Sequence, residues 1–178
     1  ISNDLIIQEL VRNIYDGITT KDLEKALILS VVAYLEKEPA HNMLAASLFL
    51  QRIYKEVIGV STNEVTREPL YRQKFIDGIF QGIAAGRLSK ALAAFPLEEL
   101  SQYLHIERDQ LFGYRGIHTL YERYFLRAEQ KLLELPQAFW MRVSMGLAIN
   151  EEDKLTKTVE FYNALSTLRY IPGTPTLF

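Results

Sequence analysis

A chain without cysteine has few side chains left for covalent or acid–base chemistry: histidines, paired carboxylates and hydroxyls. The three histidines, His41, His105 and His118, are far apart and none has a partner at i+4. A helical metal site needs ligands at such spacing, so each is expected on a helix surface or at a cap. The carboxylate pairs Glu98/Glu99 and Glu151/Glu152 are sequence neighbours, about 100° apart on a helix, and do not face each other as an acid–base dyad. The triplet Glu151-Glu152-Asp153 follows Asn150 and reads as the first turn of a helix, where carboxylates oppose the positive helix end. No G-x-S-x-G elbow, P-loop or dinucleotide fingerprint occurs. Gly78, Gly82 and Gly86 repeat at i+4, which is read as a close helix neighbour plus a C-terminal cap, not as a phosphate cradle.

The elements that must position these groups fit in one domain or two small ones. At 178 residues the chain can bury roughly 70% of its unfolded surface. With 48% apolar and 24% charged residues the composition is that of a soluble globular protein, and disordered or collagen-like classes are excluded. A formal net charge of −2 gives no cationic field for a phosphate backbone, so no nucleic-acid partner is expected. The longest apolar stretch, Ala26 to Leu35, is too short to span a bilayer, so no membrane partner is expected. No signal peptide opens the chain, and a cytoplasmic location is the expectation. The start without Met and the stop at Phe178, after a Pro-rich turn, read as a piece of something longer.

Apolar periodicity predicts helices throughout. The first runs from a cap at Ser2 or Asn3 to Asp16-Gly17. The second opens at Thr19 or Thr20, the third near His41-Asn42, ending at Gly59. Residues 60–69 read as a polar connector closed by Pro69, followed by a fourth helix from Leu70 to Ala85. Pro96 opens a short helix, and Ile117 to Phe125 marks another. Residues 127–135 fit a turn, a hairpin or a helix equally. Pro136 begins the next helix and Asn150 caps the last, whose buried side is Leu155, Val159, Tyr162, Leu165 and Leu168. Residues before Pro172 and Pro175 are driven out of the helical region, so an all-α helical bundle is expected to end in an extended segment.

Two stretches carry more than periodicity. Arg108-Asp109-Gln110-Leu111-Phe112-Gly113-Tyr114-Arg115-Gly116-Ile117-His118-Thr119-Leu120 is followed by Pro136-Gln137-Ala138-Phe139-Trp140-Met141-Arg142-Val143. Phe161-Tyr162-Asn163 with Leu165-Ser166 leads to Thr174-Pro175-Thr176-Leu177-Phe178. Together they resemble the N-terminal helical domain of the large subunit of class I ribonucleotide reductase, matching its R-D-x-x-[FY]-x-Y-x-G-x-x-T-L, P-Q-x-x-x-M-R-V and [ST]-P-T-L-F patterns. Tyr15-Asp16-Gly17-Ile18-Thr19-Thr20 and Leu44-Ala45-Ala46 look like the later helices of the ATP-cone, without its opening hairpin.

The resemblance implies a partial cone at 1–59, a connector and helix at 60–95, the reductase helical domain at 96–172 and, at 173–178, the start of the first strand of an α/β barrel. It implies that Thr174 contacts the diphosphate of a ribonucleoside diphosphate substrate, and that Thr20 and Lys55 approach an ATP or dATP effector. No cofactor is implied in this segment, and no residue of it is implied to be catalytic or a metal ligand. The parent enzyme takes ATP and dATP as effectors, forms a homodimer and receives its radical from a separate metal-containing small subunit. Reduction in that family uses cysteine thiyl chemistry, so this cysteine-free segment is expected to be scaffold and allosteric link, inactive alone. The alternative is a stand-alone helical adaptor or regulatory module.

Overall fold

The computed structural model describes residues 3–59 and 64–177; Ser2, one of the expected first caps, and Phe178 lie outside them, as do residues 60–63 of the expected connector. Among the described residues the α-helices are α1 (Asn3–Arg12), α2 (Thr20–Val32), α3 (Pro39–Ile58), α4 (Glu64–Ala84), α5 (Leu97–Gln102), α6 (Tyr114–Arg123), α7 (Pro136–Leu147) and α8 (Lys154–Ser166). Short 3-10 turns cover Lys90–Ala94, Ile106–Leu111 and Thr174–Leu177. The all-α bundle is as expected.

Local chemistry accounts for most boundaries. Thr19, not Thr20, caps α2: its hydroxyl oxygen accepts from the Asp22 N–H at 3.1 Å. Gly59 closes α3 at φ 88°, a conformation in which a Cβ would be strained. Asp153, rather than Asn150, caps α8 by accepting from the Thr156 N–H at 3.0 Å. Glu151 and Glu152 therefore precede the helix instead of filling its first turn.

One expectation gives way and one open reading is decided. The fourth helix begins at Glu64 and carries Pro69 inside it, so the stretch expected as a connector up to Pro69 is helical from 64 onward. Proline there removes only the N–H that would have met the Val65 carbonyl, and the long helix beyond it, anchored by buried Tyr71, Phe75 and Ile79, outweighs that loss. The ambiguous 127–135 stretch is a hairpin, with β1 (Arg127–Ala128) antiparallel to β2 (Lys131–Leu132) in the register Arg127↔Leu132. Its two-residue loop, Glu129 and Gln130, has positive φ at both positions, 48° and 68°, which matches the twist of the strands.

Helix α7 is the axis of the core. Every residue from Pro136 to Met145 is buried, as only a helix enclosed on all sides requires. Phe75, Ile79, Leu100, Ile117, Phe139, Trp140 and Tyr162 belong to one continuous cluster around it. A smaller cluster of Ile6, Val31 and Ala45 joins α1, α2 and α3.

The glycines of α4 do face a close neighbour, but it is the end of the hairpin rather than a helix. A Cβ on Gly78 would lie 2.9 Å from the Leu133 carbonyl oxygen, and one on Gly82 2.7 Å from side-chain carbons of Leu126 and Leu88. Gly86, at φ 68°, ends the helix as expected. Backbone cannot retreat as a side-chain tip can. Gly78→Ala is therefore expected to destabilise by about 1–3 kcal/mol, even though alanine is the better helix former by ~1 kcal/mol. Urea unfolding of the variant against the parent chain measures it.

After α8 the chain turns at Leu168 (φ 58°) and runs without helix from Tyr170 to Gly173. Thr174–Leu177 then form one 3-10 turn, with Leu177 buried in the main cluster. A strand needs a neighbour to pair with, and among the described residues only β1 and β2 pair. No helix among the described residues is long and apolar enough to cross a membrane.

Candidate functional site

The residues of the quoted motifs converge on one buried polar node. Asp109 is fully buried beside three donors from other segments. Tyr54 Oη of α3 donates at 2.7 Å, Tyr71 Oη of α4 at 3.1 Å and Gln137 Nε2 of α7 at 2.8 Å. Two longer chains feed these donors. The Gln137 N–H donates to Tyr71 Oη at 2.8 Å; the His105 N–H donates to Tyr162 Oη at 2.9 Å, which donates to Gln137 Oε1 at 2.9 Å. Tyr71, Tyr162 and Gln137 each give one way and receive the other, Tyr54 donates, and the carboxylate is the terminal acceptor.

Burial nevertheless dominates its proton affinity. Desolvation pushes Asp109 up to about 7, against the pull of its Tyr54, Gln137 and Tyr71 hydrogen bonds and, last, the Arg67 charge. The same burial, reinforced by the Asp109 charge, raises the Tyr54 and Tyr71 phenols well above their usual value. Tyr162 is pushed up to about 12, again by burial first. No group here is poised as a nucleophile or base toward an open cleft. The node is structural: it joins α3, α4, α7 and α8 through the 3-10 turn that carries Asp109.

Arg108 extends it to the surface. Its Nη1 donates to Asn163 Oδ1 at 2.9 Å and Ser166 Oγ at 2.6 Å, and its guanidinium lies over the Tyr162 ring at 5.5 Å. So the Arg-Asp motif and the Phe-Tyr-Asn-x-x-Ser motif are two halves of one contact.

A second buried pair ties α7 to the segment that follows the hairpin. Arg142 Nε donates to Glu134 Oε1 at 2.5 Å, both side chains being nearly inaccessible. Glu134 Oε2 also accepts from the Leu126 N–H at 2.8 Å, and Arg142 Nη2 reaches the Tyr124 carbonyl at 3.4 Å. Tyr124 Oη in turn lies 3.0 Å from Thr174 Oγ1. Thr174 is exposed, and a cleft of about 420 Å³ nearby is lined by Arg87, Ser89, Arg142, Leu147 and Thr176 among others.

The expected effector residues sit elsewhere. Thr20 opens α2, one turn before Glu24, and Lys55 Nζ of α3 is paired with Glu24 at 2.5 Å. A cleft of about 440 Å³ between α1 and α2 is lined by Glu9, Asn13, Tyr15, Asp22, Lys25 and their neighbours, with neither Thr20 nor Lys55 on its wall.

The histidines are dispersed as their spacing implied, and no group of three or more metal-ligating side chains occurs among the described residues. His41 is buried, its Nδ1–H donating to the Tyr34 carbonyl at 3.1 Å, rather than lying on a surface. His105 faces Glu107 at 3.0 Å, and His118 lies 5.3 Å from the rings of both Phe49 and Tyr114.

Sequence reasoning missed the node and the buried ion pair. The signal available was polar residues inside apolar stripes: Tyr54 beside Ile53 and Val57, and Arg142 in a helix otherwise read as core.

Residues 110–178 match the family model described as ribonucleotide reductase, all-alpha domain. The ribonucleoside-diphosphate reductase subunit alpha of Chlamydia pneumoniae is 40% identical over 177 residues, 99% of this chain and 17% of that protein. The corresponding subunit of Chlamydia trachomatis is 43% identical over 93% of this chain and 16% of its own length. That of Helicobacter pylori is 34% identical over 91% of this chain and 20% of its own. The chain thus spans about a sixth to a fifth of the length of these relatives. With the motif residues assembled into one core and this likeness running along nearly all of the chain, the protein belongs to the family of ribonucleoside-diphosphate reductase large, or alpha, subunits.

Proposed function

We propose that this chain is the helical part of a class I ribonucleoside-diphosphate reductase large subunit, acting in the reduction of ribonucleoside diphosphates to deoxyribonucleoside diphosphates. Its own task is to brace the catalytic body, link the cone-like helices to it and offer one substrate-phosphate contact. The carrying observation is Thr174: an exposed hydroxyl at the end of the bundle, tethered to Tyr124 at 3.0 Å beside a locked Arg142–Glu134 pair. A short hydroxyl suits a phosphate oxygen because it donates without adding bulk. The cysteine chemistry belongs to chain outside these 178 residues, for they contain none.

In this reading residues 1–59 are the partial cone, 96–172 the reductase helical domain and 173–178 the approach to a barrel strand. The 3-10 turn at Thr174–Leu177 would open into that strand once a neighbouring strand is present to pair with it. Thr20 and Lys55 would approach ATP or dATP, with Lys55 first giving up Glu24. Ribonucleoside diphosphate, a radical-generating small subunit and a second large subunit are the partners, in the cytoplasm.

The adaptor reading draws on one feature, the burial of Leu177 as a closing plug. Steady-state assays test the phosphate contact. In the full-length subunit with its small subunit, Thr174→Val is expected to raise KM for the diphosphate substrate about tenfold or more, the effect of losing one hydrogen bond to a charged group. An unchanged KM would remove Thr174 from substrate binding, whereas a parent reading frame that yields no reductase activity with any small subunit would favour the adaptor. The isolated chain should not turn over substrate.

A further inference from the structure

We infer that Tyr124 is a positioning residue for substrate phosphate: its phenol donates to Thr174 Oγ1 and so leaves the single Thr174 proton pointing outward, free for an anion. The inference rests on Thr174 being the phosphate contact and goes one residue beyond it.

A threonine hydroxyl has one proton and two lone pairs. If Thr174 gave that proton to Tyr124, it would present only lone pairs to a phosphate, and these repel it. If Tyr124 donates, the Thr174 proton is available and the oxygen that carries it is already polarised in the useful direction. A phenol is the stronger acid of the two, which favours this order. At 3.0 Å the two oxygens are within hydrogen-bond reach, and the contact is solvent-exposed, where an anion can approach. The Arg123 guanidinium lies 5.6 Å from the centre of the Tyr124 ring.

The base of the phenol is held still. The Tyr124 N–H donates to the Leu120 carbonyl at 2.9 Å, and its own carbonyl accepts from Arg142, which Glu134 clamps. Thr174, by contrast, opens a short 3-10 turn after a non-helical run. The phenol held at its base therefore sets the orientation of the hydroxyl. The sequence separation of fifty residues means that this contact also ties the Thr174–Leu177 turn to the end of α6.

Kinetics of the full-length subunit with its small subunit test this. Tyr124→Phe should raise KM for the diphosphate substrate about threefold to tenfold with kcat within about twofold and an unchanged thermal midpoint. Thr174→Ser should stay near the parent enzyme. In a Thr174→Val background, adding Tyr124→Phe should do nothing more, because the two act through one contact. If Thr174→Val raises KM and Tyr124→Phe does not, the positioning role is overturned while the phosphate contact stands. Additive effects in the double variant, or a fall in kcat and thermal midpoint together, would also overturn it. If both single variants match the parent enzyme, the phosphate contact itself is wrong.

Discussion

Replacing Asp109 by alanine should destabilise the chain by about 3–5 kcal/mol, the largest effect expected of any single truncation outside the apolar core. Tyr54, Tyr71 and Gln137 would each keep a buried donor with no acceptor, and each such orphan costs about 1–3 kcal/mol, less whatever water enters. Asp109→Asn should cost much less, since its amide oxygen can still accept from Gln137 and the phenols can rotate. The two variants also separate in pH. The folded-state value of Asp109, about 7, lies above that of an unfolded aspartate, so the folded form binds the proton more tightly. Its contribution is fully present below about pH 4 and is lost as pH rises to 7. Denaturant midpoints measured from pH 4 to 8 should fall across that window in the parent chain relative to Asp109→Asn, which has nothing to titrate there. Parallel curves would show that Asp109 ionises as an ordinary surface carboxylate.

Arg142→Met is the second large effect. It strands Glu134 in the core with only the Leu126 N–H for company, and breaking one side of a buried ion pair costs about 3–5 kcal/mol. Desolvating both ions is itself expensive, so the double variant Glu134→Leu/Arg142→Met should recover most of that loss. Chemical denaturation of the two single variants and the double completes the cycle. A double variant as unstable as the sum of the singles would mean a coupling energy of zero, and the cost of each single would then not come from stranding its partner. The double variant also takes the Arg142 donor away from the Tyr124 carbonyl, which makes it a test of structure distinct from Tyr124→Phe.

The all-α body was legible because helix period, caps and prolines are local signals. Gly59, Gly86 and Pro136 fall where a sequence reader puts them, and the buried side of α8 holds Tyr162 and Leu165 as expected. Errors came where two local signals competed. Pro69 looked like a stop and is carried inside α4; Asn150 looked like a cap, yet Asp153 is the residue with an oxygen at the right amide. The polar interior was not legible. Asp109 draws its partners from positions 54, 71 and 137, and nothing within ten residues of it marks a core aspartate. The motifs were visible as patterns while their physical purpose, satisfying one another's hydrogen bonds, required the fold. Thr20, Lys55 and Thr174 came from resemblance alone; of these, Thr174 gained a specific neighbour in Tyr124 and Lys55 an ion-pair partner in Glu24.

The one-way order of donors that ends at Asp109 also governs when this chain can finish folding. Its members span Tyr54 to Tyr162, so the circuit closes only after most of these 178 residues have left the ribosome. Until α8 arrives, Gln137 Oε1 waits without its phenol, and the early helices can gather around α7 only loosely. Nascent chains halted before residue 162 should be protease-sensitive, and those extended well past it resistant, a step in maturation set by the Tyr162 hydroxyl together with the apolar side of α8.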